Sequence, residues 1–387
     1  MNLNKKRFKP KIFWIGPFIP SNYLRHWLAA SPAAMKWQKH LFESLISNGL
    51  DIEWLYYRPD SYWPKGRLLP STEIISSNIV DNQNQIHYLN TLGLRNFTLK
   101  KSLEKLLNKK LQNHSKQPLI IVSYNGPEWM KKIFSNQKIR SNFSCIYIVA
   151  DEEVPPGADG YVFLSYNSFK KYNKNRNKLH LDGALYPSLP IYNYQKSVRK
   201  KNKIIFFYSG SFFKYTGIKI LLDAVALLKE KNFELWISGS GNDRFLKQAV
   251  KKDSRIKFFG LLSNTQLQNT YKAADIFLNP RPVNMSVNDI SFPSKLFDYL
   301  SWNKPIISTC TKSLDPIYKN ILDIVDDNPV SIALAMRSYL EGKKYLKNKN
   351  KKWIINKNWN NEARKFKKFL RLSVRKKKIK FHQKNKI

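Results

Sequence analysis

The sequence predicts an α/β protein with two Rossmann-like domains, each built on a doubly wound parallel sheet and facing each other across a cleft. Short apolar runs alternate with segments of helical periodicity, which is the pattern of strands joined by crossover helices. A polar, basic stretch at residues 191–203 interrupts this alternation, which then resumes. The chain of 387 residues is also too long for one ordinary core.

This interruption sets the predicted domain boundaries. We expect a first domain over residues 1–190, a linker over 191–203, a second domain over 204–358, a helix over 359–375 and a basic tail over 376–387. Lysines dominate the tail, so we expect it to be frayed.

The first half reads as strands separated by helices. The apolar run that begins at Lys11 ends at Gly16-Pro17, which is typical of a buried parallel strand. Ser31 and Pro32 supply a helix cap and a first-turn residue, and Asn48-Gly49 provides a stop. The predicted strands are 11–18, 51–57, 86–89, 119–122, 145–150 and 161–164, and the predicted helices are 32–48, 98–111 and 128–134.

The second half repeats the pattern. Asn279-Pro280 ends a strand, because proline removes a ladder donor, and a polar loop without regular structure follows up to Ser291. Pro293 suits a first helical position. The predicted strands are 204–208, 234–237, 256–259, 276–278 and 305–309, and the predicted helices are 217–229, 243–251, 264–272 and 295–302. Ligands of such sheets bind at the carboxyl ends of the strands.

The chain carries 68 Lys and Arg against 27 Asp and Glu, a formal charge of +41. This favours a polyanionic partner such as nucleic acid, an anionic membrane or a phosphorylated substrate. Lysine and asparagine are abundant throughout, so a general compositional bias explains the charge equally well. Cys145 and Cys310 lack the spacing of a disulfide or metal framework and are expected to be buried thiols. No apolar run reaches the ~20 residues of a membrane span.

Five strand-end segments of the second half, in this order, resemble a known family. They read FYSGSFFKYTGIKILLDAVALL, LWISGSG, IKFFGLL, ADIFLNPR and SFPSKLFDYLSWNKPII. This series resembles the donor half of retaining GT-B glycosyltransferases, the large group 1 family with sucrose synthase-like and polysaccharide or lipopolysaccharide enzymes. The resemblance implies the GT-B architecture, with a nucleotide-sugar bound by the second domain and an acceptor by the first. It also implies that the C-terminal helix crosses back to the N-terminal domain.

The resemblance also implies a donor site. The residues placed there are Gly210, Ser211, Gly239, Gly241, Gly260, Leu261, Arg281, Phe292, Ser294, Leu296 and Asp298. The two glycines after the second strand, Gly239 and Gly241, could equally form a simple strand-to-helix turn.

The phosphate-binding cations of the family are displaced in this sequence. In many relatives an arginine and a lysine flank the first glycine turn, whereas Ser211 or Phe212 and Thr216 hold those positions here. Lys214, Arg281 and Lys295 are the expected replacements, since a leaving diphosphate needs charge stabilisation.

The carboxylate pair of the family, spaced E-x7-E, is also altered. Asp298 stands at the second position, which is expected to bind the ribose. Ile290 occupies the first position, with Asp289 beside it.

The acceptor side offers Asp151, Glu152 and Glu153, which follow a predicted buried strand. A carboxylate there, with Asp151 as the catalytic candidate, could orient or deprotonate an acceptor hydroxyl, or it could cap the next segment. Further candidates are Tyr124, Asn125, Glu128, His26 and His180. We expect no metal site and no cofactor besides the donor substrate.

The sequence therefore predicts a cytoplasmic, metal-independent, retaining glycosyltransferase of the hexosyltransferase type. Its partners would be a nucleotide-diphosphate sugar and a glycan or lipid-linked acceptor in cell-surface polysaccharide assembly. The basic tail either contacts the anionic inner face of a membrane or is simply solvated. The alternatives are an epimerase or glycan phosphorylase of the same fold, or a nucleic-acid-binding protein. Against the last, aromatic residues do not cluster with basic ones as they do on RNA-binding surfaces.

Overall fold

The computed structural model describes residues 10–20, 31–70, 78–114, 117–126, 130, 143–172, 177–185, 203–343 and 351–384. The chain divides into two compact units. The first comprises Met1–Leu164, Phe169–Leu181 and Trp359–Ile387, and the second comprises Ser165–Ser168 and Asp182–Asn358. Apart from Lys203, the predicted linker lies outside the described residues.

The first unit is built on a six-stranded, all-parallel sheet in the order β2-β1-β3-β4-β5-β6. Because β2 and β3 flank β1, the chain changes direction across the sheet between β1 and β3. The strands are β1 (Lys11–Pro17), β2 (Asp51–Tyr57), β3 (Leu119–Tyr124), β4 (Ser144–Val149), β5 (Gly160–Phe163) and β6 (Lys178–His180). The helices before the second unit's sheet are α1 (Pro32–Ser47), α2 (Arg95–Asn113) and α3 (Tyr166–Lys171).

The local sequence explains these elements. The apolar residues of β1 are buried, as expected of a strand covered on both faces. At the start of α1, the Ser31 hydroxyl accepts a hydrogen bond from the Ala34 N–H, and Pro32 takes the first helical position. Gly49 follows with φ of 73°, which suits a helix end.

The second unit has another six-stranded parallel sheet, in the order β12-β11-β10-β7-β8-β9. Its strands are β7 (Ile204–Ser211), β8 (Phe233–Ser240), β9 (Ile256–Phe258), β10 (Ile276–Asn279), β11 (Ile306–Ser308) and β12 (Asp323–Ile324). Its helices are α4 (Ile218–Ala226), α5 (Arg244–Lys252), α6 (Asn264–Ala273), α7 (Ser286–Ile290), α8 (Lys295–Leu300), α9 (Pro329–Leu340) and α10 (Lys351–Asn356).

This strand order creates a topological switch point. From β7 the chain moves outward through β8 and β9, and then returns to place β10 on the other side of β7. Helices that follow neighbouring strands then diverge, which leaves a crevice at the carboxyl ends of β7 and β10. Gly210 and Ser211 end β7, and Asn279 ends β10.

The C-terminal helix α11 (Trp359–Lys384) packs in the first unit, against α1. Phe366 lies with its ring centroid 6.4 Å from that of Trp14, and Phe369 and Ser373 press against β5. A Cβ on Gly160 would stand 2.7 Å from Phe369, so this close approach requires glycine. The predicted return of the last helix to the N-terminal domain is therefore confirmed. The tail from residue 376, predicted to be frayed, continues instead as helical backbone through Lys384.

Several predicted elements differ from the structure. Residues 86–89 form no strand, because the chain pairs there only through one bridge between Tyr56 and Gln85. β7 and β8 run three residues further than predicted, since Gly210 and Ser211 pair in register with Gly239 and Ser240. The loop predicted to lack regular structure contains α7.

Helix ends also differ from prediction. The structure ends α4 at Ala226 and α8 at Leu300, earlier than predicted. The predicted helix 128–134 and the loop with Arg25 and His26 lie outside the described residues, Met130 excepted. Within the part of the chain that the structure describes, no helix is long and apolar enough to cross a membrane.

Candidate functional site

The end of β7 holds the glycines that the sequence singled out. Gly239 has φ of 148°, and a Cβ there would stand 1.7 Å from the carbonyl oxygen of Gly210. A Cβ on Gly241, at φ of 138°, would meet the backbone and Cβ of Phe212 at 3.1 Å. Both glycines are therefore required for β7 and β8 to stay paired up to their ends. The role of Gly239 and Gly241 in a strand-to-helix turn therefore does not depend on a bound ligand.

Two cationic side chains lie around Tyr208, at the same end of β7. Burial raises the pKa of Tyr208 to about 12, and the positive charges of Arg281 and Lys295 oppose that rise. The Tyr208 hydroxyl donates to the carbonyl oxygen of Ser211 at 2.9 Å. A Cβ on Gly210 would lie 2.9 Å from that hydroxyl oxygen. The charges of Arg281 and Lys295 therefore both act on Tyr208, and the Tyr208 hydroxyl lies at the turn of Gly210 and Ser211.

Arg281 is held by a buried asparagine that sequence reasoning missed. The Arg281 guanidinium donates to Asn288 Oδ1 and to the Ser291 carbonyl oxygen, both at 3.3 Å. The Asn288 amide donates to the carbonyl oxygens of Tyr215 and Pro282, each at 2.8 Å, and the residue is fully buried. Burial lowers the pKa of Arg281, and the tyrosines near it act in the opposite direction.

Asn288 thus joins three segments: the turn after β7, the turn after β10, and α7. Its only signal in the sequence is an amide side chain in a polar loop between a strand and a helix. Such a position is more often solvated, so the residue type alone does not reveal the role.

Lys295 and Asp298 form an ion pair one turn apart on α8. Lys295 Nζ lies 3.2 Å from Asp298 Oδ2, and the Tyr271 hydroxyl lies 3.5 Å from the same oxygen. Burial alone lowers the pKa of Lys295, but the Asp298 carboxylate outweighs it and the net pKa is raised. The Asp298 side chain is only 9% exposed. Asp298 therefore favours the charged form of Lys295 and orients it, in addition to its predicted contact with a ribose.

The start of α8 is stabilised mainly by packing. Phe292 and Leu296 are buried, and the Phe292 ring stacks on Phe297 at 5.3 Å. The Leu296 N–H already donates to the Pro293 carbonyl oxygen at 2.9 Å. The Ser294 side chain makes no cap hydrogen bond within the described helix. With only six residues, α8 has a small dipole, so the positive charge here comes chiefly from Arg281 and Lys295.

The remaining predicted donor residues lie nearer the surface. Lys214 opens a 3₁₀ turn, Lys214–Thr216, and its side chain is exposed. Leu261 is exposed beside Gly260, at the end of the edge strand β9. The Gly260 carbonyl oxygen accepts hydrogen bonds from the Gly239 N–H and the Ser238 hydroxyl, both at 2.9 Å. Asp289, beside the altered acid position, pairs with Lys312 at 3.1 Å.

In the first unit, Asp151 lies at the carboxyl end of β4 beside Asn125, which follows β3. Asn125, at φ of 39°, donates a hydrogen bond to Asp151 and accepts one from the Ala150 N–H at 2.8 Å. Asp151 and Glu153 are exposed, whereas Glu152 is half-buried. Burial raises the pKa of Tyr124, and the charges of Asp151 and Glu152 raise it further. Tyr124, Asn125 and Asp151 are thus brought together.

The other first-unit candidates are less closely grouped. His180 lies on β6, at the edge of the sheet, and its ring centroid is 5.6 Å from that of Phe169. Glu128 and His26 lie outside the described residues. Cys145 is buried and Cys310 is half-buried, and within the described residues neither is part of a disulfide.

Comparison with family models finds a match within the second unit. Residues 203–341 match the family model of the glycosyl transferases group 1. That segment contains the glycine turns, Arg281, Asn288, Lys295 and Asp298. A search of curated proteins by sequence finds no match.

Solved structures agree with the fold over nearly the whole chain. Sucrose-phosphate synthase from Thermosynechococcus elongatus aligns with a TM-score of 0.64 at 15% identity, covering 94% of this chain and 99% of that one. A glycosyltransferase from Rickettsia africae gives 0.66 at 13% identity, covering 95% and 99%. The Anabaena protein HepE, in complex with UDP and glucose, gives 0.54 at 12%, covering 92% and 94%. The two parallel sheets, their helices and these alignments confirm the predicted GT-B fold.

Metal-ligating residue types do not cluster in the part of the chain that the structure describes. No group of three or more His, Cys, Asp or Glu side chains there is arranged to hold a metal ion.

Proposed function

We propose that the protein transfers a sugar from a nucleotide-diphosphate sugar to a glycan or lipid-linked acceptor, with retention and without a metal ion. The observation that carries this proposal is that the charges of Arg281 and Lys295 both act on Tyr208, whose hydroxyl donates to the Ser211 carbonyl oxygen of the Gly210 turn. This turn lies at the topological switch point of the second sheet, within the segment that matches the glycosyl transferases group 1. HepE, which shares the fold, is solved with UDP and glucose.

Arg281 and Lys295 would hold the diphosphate of the donor. Cleavage of the bond between the sugar and the diphosphate leaves additional negative charge on the leaving group. Cations that are fixed before the reaction stabilise this charge without reorganising. Asn288 fixes Arg281 and Asp298 fixes Lys295, so both cations are preorganised. Lys214, exposed on the turn after β7, would add a third positive charge.

The other donor contacts follow from the strand ends. Gly210 and Ser211 would allow the backbone to approach the diphosphate, and Gly239 and Gly241 would lie beside the nucleotide. Gly260 and Leu261 would contact the base. Asp298, Ser294 and the start of α8 would complete the ribose side of the site.

Asp151 is the proposed catalytic carboxylate of the acceptor side. It is exposed, and Asn125 orients it at the carboxyl end of the central strands, where such sheets bind ligands. A carboxylate held in this way can position an acceptor hydroxyl and take up its proton. We place the reaction in the cytoplasm, in cell-surface polysaccharide assembly, on the basis of the family resemblance.

A panel of nucleotide-sugars tests the proposal directly. We expect one or more to raise the melting temperature and to be turned over with chelator present. Lys295→Gln is expected to weaken donor binding at least about tenfold, since hydrogen bonds to charged groups contribute about 1.5–3 kcal/mol. Lys251→Gln, at an exposed lysine of α5, is the matched control. Absence of any response to every nucleotide-sugar would refute the proposal.

Product analysis separates the rivals. Sugar isomerisation without an acceptor would indicate an epimerase, and dependence on inorganic phosphate would indicate a phosphorylase. Salt-sensitive RNA binding by a protein that ignores nucleotide-sugars would instead favour the nucleic-acid-binding alternative. The anomeric configuration of the product, determined by NMR, tests retention.

A further inference from the structure

We propose that an exposed apolar surface of the first unit docks the protein onto an anionic lipid bilayer. This surface, here called the docking surface, consists of Trp63, Leu68, Leu69, Leu92, Leu94 and Phe97. Their exposed fractions range from 40% for Leu68 to 83% for Leu92. None of these residues belongs to the proposed donor or acceptor sites, so the inference is independent of the proposed function.

The docking surface is continuous because one buried asparagine joins its two segments. Asn90 is fully buried, and its side-chain amide donates to the carbonyl oxygens of Ser61 at 2.6 Å and Arg67 at 2.7 Å. Its backbone N–H donates to the Leu68 carbonyl oxygen at 2.8 Å, and its own carbonyl oxygen accepts from the Trp63 N–H at 3.0 Å. The loop 61–69 is therefore held beside the segment that leads into α2. The exposed side chains are thus fixed together rather than scattered.

The start of α2 extends the surface and adds positive charge. The Arg95 guanidinium lies 4.8 Å from the ring centroid of Tyr62 and 5.5 Å from that of Tyr88. One turn along α2, Lys101 Nζ lies 4.9 Å from the Phe97 ring centroid. The opposite face of α2 is buried through leucines at four-residue spacing, so Phe97 and Lys101 face outward.

The charges around the docking surface are mainly positive. Lys65, Lys101 and Lys105 are exposed, while Glu104 pairs with Lys100 at 3.8 Å. Exposed apolar tips beside cations complement the interface of an anionic bilayer, where lipid headgroups meet lysine and arginine and acyl chains meet apolar side chains. The indole of Trp63 suits that interface as well. Nucleic acid would satisfy the cations but offers no apolar environment for the four leucines at positions 68, 69, 92 and 94.

Vesicle flotation of the full chain tests the inference. The probes are phosphatidylcholine vesicles with and without phosphatidylglycerol. We expect binding to the anionic vesicles and weak binding to the neutral ones. The double variant Trp63→Ser/Leu92→Ser should bind anionic vesicles at least about tenfold more weakly, because two apolar side chains no longer leave water. Val330→Ser/Leu334→Ser removes two exposed apolar side chains from α9 and should bind within about twofold of the parent.

Salt and oligomeric state distinguish the other outcomes. Higher salt screens the cations and should weaken binding of every variant, but the difference between the two double variants should persist. If the Trp63/Leu92 variant binds as tightly as the parent, the contact lies elsewhere, as on the basic C-terminal helix, and the inference is wrong. If the parent self-associates without lipid and this variant does not, the surface binds a second copy, which also overturns it. Circular dichroism melting confirms that each variant is folded.

Discussion

Replacing Asn288 by alanine is expected to lower the free energy of unfolding by about 2–4 kcal/mol and to weaken donor binding. The Asn288 amide makes two hydrogen bonds of 2.8 Å to carbonyl oxygens and accepts one of 3.3 Å from Arg281, in a fully buried position. Each such bond contributes about 1 kcal/mol net, and buried partners left unpaired cost about 1–3 kcal/mol each. Three partners left wholly unpaired would cost about 3–9 kcal/mol, and we expect a smaller loss of about 2–4 kcal/mol because the loop can relax or admit water.

The same substitution should release Arg281 from its position beside Tyr208. Donor affinity is then expected to fall at least about fivefold, which corresponds to about 1 kcal/mol. Urea denaturation followed by tryptophan fluorescence measures the first effect, and calorimetric titration with the donor measures the second. Asn232→Ala is the control, because this asparagine is exposed in a loop before β8 and should cost less than about 0.5 kcal/mol. Parent-like stability together with parent-like donor affinity would refute the role of Asn288.

Three further predictions follow from other contacts. Gly239→Ala should destabilise the protein by at least about 2 kcal/mol in thermal denaturation, since its Cβ would overlap the Gly210 carbonyl oxygen. Gly260→Ala, with φ of 64° and open space around the residue, should cost about 1–2 kcal/mol, and equal costs for the two variants would contradict the packing argument. Burial alone would raise the pKa of Glu53, but Lys11 and Lys110 outweigh it and lower the pKa to about 2, so the carboxylate stabilises the protein above the unfolded value of 4.5 and this contribution is lost as the pH falls towards 2. Glu53→Gln should therefore make the denaturation midpoint less dependent on pH between 4.5 and 2, and an unchanged pH profile would show that the ion pairs contribute nothing. Asp298→Asn should weaken donor binding and lower the pKa of Lys295, measured by NMR titration of the lysine ammonium; an unchanged lysine pKa would show that Asp298 does not hold Lys295 charged.

Element type and order were largely predictable because local chemistry decides them. The predicted bounds of β2 are those of the structure, since a short apolar run between polar neighbours is typical of a buried strand. α1 was predicted nearly to its ends, because Ser31, Pro32 and Gly49 determine its start and stop within the segment itself. The incorrect predictions concern elements whose extent is set by pairing between strands. β7 continues to Ser211 only because β8 lies beside it, and residues 86–89 form no strand because the only bridge among the described residues of this region joins Gln85 to Tyr56.

The candidate site divides in the same way. The glycines, Arg281, Lys295 and Asp298 were selected from motif and position, since a strand followed by a turn and a helix is written in consecutive residues. The hydrogen-bond partners of these residues could not be predicted, because they are distant in sequence or lie in a polar loop. Tyr271 lies 27 positions from Asp298, and the Asn288 amide binds the carbonyl of Tyr215, 73 positions away.

The amino-acid sequence is sufficient to predict the two alternating series of strands and helices, the residues at the strand ends and the excess of positive charge. Which strand ends are neighbours depends on the folded chain: the order that places β10 beside β7 brings the charge of Arg281 within reach of Tyr208. The tertiary structure also decided that Asn125 orients Asp151, and that Asn90 joins two separate segments into one exposed apolar surface. The physical reason is the same in each case. Periodicity and capping act within a few residues, whereas the pairing of strands and the hydrogen bonds of buried amides depend on chain segments that meet only on folding.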